Sequence, residues 1–299
     1  MMKPIPSHRG FTLIEAIVVI AIMGILGAIV AVFIRAPVQG YVDAAGRAEV
    51  TDAADLALRR MARDLRRALP NSIRTTADGH AIEFLLTRAG GRYLAAEDGV
   101  ATPGSAPYVL DFVDATKTQF TVVGAMPSLT GRVDPNNYIV VYNLGPGFAP
   151  ADAYQFGTGA QRNIARVASV NVSGGAVQSI QLADNPFALQ QPVSMQSPNQ
   201  RFQVVSGPVT YSCSSSNGVL TLTRYWGYNI NAAQVDPPSG GSSAVLADRV
   251  DRCGNLFNYS EGNSTKRSGL VILSLSLRSR NGTDPAITLV HQVHVDNTP

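Results

Sequence analysis

The run Arg9-Gly10-Phe11-Thr12-Leu13-Ile14-Glu15 sets a carboxylate at the mouth of an apolar stretch covering residues 16–34. An acid inside a membrane-length segment costs several kcal/mol, so one that stands there calls for a partner or a function. Its chemistry is charge pairing, not bond making. Other reactive groups are few. Cys213 and Cys253 are the two cysteines and would close a loop of about 40 residues as a disulfide. They are too far apart for a redox pair of the CxxC kind, and an even pair in an exported chain favours a bridge over two thiols. His291 and His294 are three apart in a strand-like run, so they point to opposite faces and cannot chelate one ion. His80 stands alone. Asp248, Asp251 and Glu261 are close in sequence but match no cation-binding spacing. No phosphate-binding loop, nucleophile elbow or His-Glu-x-x-His is present. These residues predict no catalytic site, no metal, no cofactor and no enzymatic activity.

A secretory signal has an apolar core of roughly 7–15 residues followed by a small-residue cleavage site. The apolar stretch here is longer and lacks such a site, and its length suits a membrane helix of about 20 residues. Gly10, Phe11, Thr12, Leu13 and Glu15, followed by that uncharged helix, resemble the signal of the type IV pilin and pseudopilin superfamily. The resemblance implies cleavage by a membrane peptidase between Gly10 and Phe11 and methylation of the new Phe11 amine. It further implies that Glu15 pairs with the Phe11 amine of a neighbouring subunit, and that residues 11–34 pack against other major and minor pilins. The implied partners are prepilin peptidase, the inner-membrane pilus assembly platform and the membrane itself.

The elements that must position these groups follow from periodicity. Residues 1–10 read as a leader, 11–69 as one long helix spanning the membrane at 16–34, and 70–299 as a β-rich head. Beyond residue 50, Ala54, Leu58, Met61, Leu65 and Ala68 recur at three- and four-residue steps, predicting an amphipathic half. Pro37 should kink or break the helix, Gly40 and Gly46 loosen it, and Pro70-Asn71 should end it. Lys3, His8 and Arg9 precede the anchor, which puts the leader on the cytoplasmic side and the head on the periplasmic side, later the cell surface.

After Pro70 the composition turns to Val, Ile, Phe, Thr and Tyr. Strands are expected at 81–87, 108–113, 119–123, 138–142, 164–172, 177–182, 201–206, 219–226, 270–278 and 287–295. Gly90-Gly91, Asp134-Pro135-Asn136-Asn137, Gly145-Pro146-Gly147, Gly174-Gly175 and Asn281-Gly282 are expected as turns, and 236–243 as a flexible surface loop. The fold class is therefore α+β, a long N-terminal helix packed on antiparallel sheet. Net charge is only +3, which gives no reason to expect nucleic acid. The run Arg59, Arg60, Arg63, Arg66 and Arg67 includes the helical pairs Asp55–Arg59 and Arg60–Asp64, as on a solvated face or a subunit contact. Four Asn-x-Ser/Thr sequons, at Asn171, Asn258, Asn263 and Asn281, are read as chance matches in loops.

Within the superfamily, Pro37-Val38-Gln39-Gly40-Tyr41, residues 53–70 and Gly207-Pro208-Val209-Thr210-Tyr211-Ser212-Cys213 are similar to the large MshO-type minor pilins of mannose-sensitive haemagglutinin (MSHA) pili. Leu222-Thr223-Arg224-Tyr225-Trp226-Gly227-Tyr228 and His291-Gln292-Val293-His294-Val295 extend that similarity. It implies a minor pilin near the filament tip. The alternatives are a minor pseudopilin of type II secretion, or a tip adhesin that uses loops 237–243 or 145–160.

Overall fold

The computed structural model describes residues 10–98, 106–124, 126, 135–216, 218–260, 268–279 and 285–299. The leader through Arg9, Asp134, Glu261, the turn at Asn281-Gly282 and the sequons at Asn263 and Asn281 lie outside the described residues.

One helix, α1, runs from Leu13 to Leu65. Its first half is apolar all round and, among the described residues, nothing in the chain covers it: Ile14, Ile20, Met23 and Phe33 are all widely exposed. Residues 16–34 rise about 28 Å at 1.5 Å each, close to the thickness of a bilayer's hydrocarbon core. The second half obeys the other pattern. Ala54, Ala57, Leu58, Met61, Ala62 and Leu65 are each at most 3 % exposed, and every Leu or Met so buried contributes about 1.5–3 kcal/mol. The helix stays helical through Pro37 instead of breaking. Proline removes one N–H bond, and the turns on either side are long enough to hold the register. It also ends earlier than Pro70. Arg66 caps it, and the next residues turn their backbones to a strand: the Leu69 N–H donates to the Leu85 carbonyl and the Thr87 N–H to that of Arg67.

The head contains β1 (Arg74–Thr75), β2 (Ala81–Tyr93), β3 (Gln119–Val123), β4 (Tyr138–Val140), β5 (Ile164–Ser173) and β6 (Ala176–Leu182). Then come β7 (Arg201–Ser216), β8 (Val219–Trp226), β9 (Ser242–Ala247), β10 (Phe257–Ser260), β11 (Ser268–Leu277) and β12 (Ile287–Asp296). Among the described residues every strand pairing is antiparallel. The larger sheet has the order β1-β2-β3-β6-β5-β4-β7-β8-β9, and β2 also pairs with β7. That extra pairing closes β2, β3, β6, β5, β4 and β7 into a ring filled by Phe120, Ile139, Ile180, Phe202 and Val204. A second sheet, β10-β11-β12, and the upper part of β2, β7 and β8 clasp the buried face of α1.

Several expectations need correction. Gly90-Gly91 lies within β2, not in a turn; a Cβ on Gly91 would come within 2.7 Å of the Phe202 ring, so close approach explains the glycine. Residues 108–113 form no strand: the Asp111 carboxylate accepts from the N–H groups of Val113 and Asp114 and turns the chain. β7 continues ten residues past Ser206 through Gly207-Pro208, which sit beside register shifts in the β2 pairing. The 236–243 stretch is no free loop, since its end enters β9. Asn171 and Asn258 stand in β5 and β10, not in loops. By contrast Gly174-Gly175, both at positive φ, make the β5–β6 hairpin as read.

Candidate functional site

Thr12 is the N-cap of α1, with extended φ/ψ, and its Oγ1 accepts from the Glu15 N–H at 3.4 Å. Glu15 thus sits at the third helical position, where an acid complements the partial positive charge of the helix start. The pattern Thr12-Leu13-Ile14-Glu15 is that of a capping box. The sequence reading gives Thr12 no functional role, although this four-residue signature could have found one. Gly10 and Phe11 lie just outside the helix, both exposed, with Phe11 77 % accessible. The Gly10–Phe11 bond is therefore open to an enzyme, while Glu15 follows on the outside of an uncovered apolar helix.

The other end of α1 is where the helix meets the head. Asp64 is only 5 % exposed. Its Oδ2 accepts from the Tyr211 hydroxyl at 2.8 Å and from Arg224 Nε at 2.9 Å, with Arg60 Nε at 3.7 Å. Arg224 in turn lies over the Trp226 ring, 4.8 Å from its centroid. One carboxylate on the helix thus ties β7 and β8 to it. Asp55 and Arg59 pair at 2.7 Å on the exposed side, so the two expected helical pairs form but differ in kind. Arg59, Arg60, Arg63, Arg66 and Arg67 are all exposed. The structure joins Cys213 in β7 to Cys253, which follows β9. On the loop-entropy model a bridge over about 40 residues stabilises by roughly 4 kcal/mol.

His80 is not isolated. Its Nδ1 lies 2.5 Å from Asp78 and its Nε2 2.5 Å from Asp236. Arg74 donates to the carbonyls of Asn231 and Ala232, so β1 and the start of β2 hold the segment 231–241 at several points. Burial disfavours the charged imidazole, but hydrogen bonds and charge from Asp78 and Asp236 outweigh it, and the His80 pKa is raised. Since the fold favours the imidazolium, its contribution is complete below the unfolded value of about 6.5 and is lost as pH rises through the higher folded value. Amide-exchange protection of peptides covering 231–241 is expected to be greater at pH 5.5 than at pH 8.5. His80→Gln should flatten that difference; an unchanged pH profile in the variant would refute the assignment.

His291 and His294 fall on opposite sides of β12, His291 inward beside Val293 and His294 exposed. Asp248 and Asp251 pair with Arg249 and Arg278. Among the described residues no three His, Cys, Asp or Glu side chains gather as a metal site. Of the two loops considered for recognition, the 145–160 stretch is anchored through Tyr154, which is buried, donates to the Ser72 carbonyl and carries Arg74 3.6 Å above its ring, while residues 146–149 and 157–160 are exposed.

A capped acid opening an uncovered apolar helix, whose second half is built into an antiparallel β head, defines an α+β chain of pilin-like architecture. Residues 5–31 match the family model described as the prokaryotic N-terminal methylation motif, the prepilin-type signal of type IV pilin-like proteins processed by prepilin peptidase. No curated protein and no solved structure matches the chain.

Proposed function

We propose that the chain is a minor pilin of a type IV pilus, similar to those of the mannose-sensitive haemagglutinin kind. It is cut after Gly10, methylated on Phe11 and inserted into the filament near its tip. The observation that carries this reading is the division of α1. Residues 11–34 are apolar and uncovered, whereas residues from Val50 onward are buried on the head. The uncovered half has two environments available, lipid before assembly and other pilin helices after it. In the second, Glu15 meets the Phe11 amine of a neighbour, which makes cleavage a condition of entry. The position near the tip rests on bulk: the head following α1 comprises more than two hundred residues, and a repeat of it along the shaft would crowd neighbouring subunits.

The test is a deletion strain scored in one culture for sheared surface pili and for secreted hydrolase activity. Loss of pili with normal secretion is the expected result. Loss of secretion with normal pili would transfer the same roles of Gly10, Phe11 and Glu15 to a type II secretion pseudopilus.

A further inference from the structure

A recess of about 650 Å³ opens at the seam between the end of α1 and the larger sheet, within the range of about 300–1,000 Å³ typical of small-molecule sites. Four of its lining residues are arginines, Arg60 and Arg67 from the helix end, Arg88 from β2 and Arg224 from β8. No Asp or Glu is among the described lining residues; behind the wall, Asp64 accepts from Tyr211 and Arg224 and lies 3.7 Å from Arg60 Nε. Its apolar lining includes Leu86, Trp226 and Leu246, which pack against the core under α1. Asn136, Asn137 and Ser206 also line it, with the Ser206 hydroxyl donating to the Leu86 carbonyl and the Asn136 amide oxygen accepting from Arg166. A shallower recess of about 400 Å³ adjoins it, shares Arg67 and Arg88, and adds Arg66, Arg201 and one carboxylate, Asp296.

We propose that this recess binds an acidic saccharide, its carboxylate held by Arg67 and Arg88 and its apolar ring face laid on Leu86, Trp226 and Leu246. Guanidinium groups suit a carboxylate because their planar N–H pairs match its two oxygens. Arg224 acts differently. Its bond to Asp64 and its stacking on Trp226 fix the indole, so it shapes the wall. A nucleic acid fits this lining less well, because Trp226 is the one aromatic side chain among the described lining residues and successive bases need successive stacking platforms. This site is separate from the N-terminal machinery and works whichever filament the chain serves.

Trp226 is the chain's only tryptophan, so its emission reports the recess directly. The experiment titrates the purified full-length chain in detergent with trigalacturonic acid, with its methyl ester and with a glutamate-rich hexapeptide. A saturable change in emission with the acid is expected, with affinity for the uncharged ester lower by at least about tenfold, the equivalent of one charged hydrogen bond. Raised salt should weaken the acid and leave the ester unchanged. An Arg67→Gln/Arg88→Gln variant, at the two positions that line both recesses, should lose about a hundredfold in affinity. Equal binding of acid and ester, no response to the acid, or tighter binding of the hexapeptide would overturn the proposal. The ester comparison uses the unaltered chain, so it decides the matter even if the variant fails to fold.

Discussion

Glu15→Val is expected to leave a cleaved, membrane-inserted protein that is nearly absent from sheared filaments. The substitution removes a carboxylate from the first turn of an otherwise apolar helix, and valine is as much at home in lipid as its neighbours. Insertion and cleavage at Gly10–Phe11 therefore proceed. Assembly differs, because the Phe11 amine of the neighbouring subunit then enters an apolar bundle without a counter-charge. Leaving a buried charge unpaired costs about 3–5 kcal/mol, a loss of about a hundredfold or more in incorporation. Immunoblots of sheared filaments against membrane fractions measure the ratio. Glu15 also stands at the third position after the Thr12 cap, where an acid favours helix initiation whatever happens at assembly. Glu15→Gln separates the two roles, because glutamine serves a capping box about as well as glutamate but carries no charge. If the Glu15→Gln chains assemble normally, helix initiation explains the acid and the pairing reading fails. If they fail like the valine variant, charge is what assembly requires. A block at Gly10 gives a third phenotype, an uncleaved precursor confined to the membrane.

The parts of this molecule that the sequence reveals are those with a strong period or a fixed motif. The apolar 16–34 stretch and the 3–4 spacing of Ala54, Leu58, Met61 and Leu65 make α1 legible, and its expected end misses only where a strand captures the chain. The bounds of β3 and β8 are legible to the residue, since each is a short β-branched run between turns. β7 reads too short, ending at Gly207-Pro208, because a proline in a strand argues for an edge unless a long-range partner accommodates a register shift. Local sequence carries no sign of that partner, β2. Residues 108–113 err the other way: their composition is strand-like, and one Asp side chain overrides it. The closing of six strands into a ring is out of reach for the same reason, as pairing order is set by contacts far apart in the chain. The recess at the α1 seam combines side chains from residue 60 to residue 246, so only the fold reveals it. Arg59, Arg60, Arg63, Arg66 and Arg67 look alike in the sequence and are all exposed, yet only Arg60, Arg66 and Arg67 among them line the two recesses.

The junction of helix and head depends on Asp64, and Asp64→Ala is the head mutation with the largest expected effect. In the sequence Asp64 belongs to an ordinary surface pair with Arg60, worth only about 0.3–0.5 kcal/mol. In the fold it faces inward, and its main partners are Tyr211 and Arg224, about 150 residues away along the chain. Removing it strands the Arg224 guanidinium, whose side chain is 11 % exposed, and a buried Tyr211 hydroxyl. Breaking such a pair costs about 3–5 kcal/mol, which for a body of this size lowers the melting temperature by roughly 6–20 °C. Asp64→Asn should fall between, since an amide oxygen still accepts from Tyr211 but no longer balances the arginine. Combining Asp64→Ala with Arg224→Met should recover much of the loss, because replacing both partners with apolar side chains removes the stranded charge. The measurement is thermal unfolding of the full-length chain in detergent, followed by the emission of Trp226 beside the ion pair. Equal melting temperatures for wild type and Asp64→Ala would show that the helix is held by its apolar face alone. The coupling also bears on the proposed assembly, because α1 carries both the uncovered apolar half and the face packed on the head: a head that detaches from residues 54–65 exposes Leu58, Met61 and Leu65 to water. Steady-state levels of the Asp64→Ala chain should then fall in cells even though Gly10, Phe11 and Glu15 are untouched.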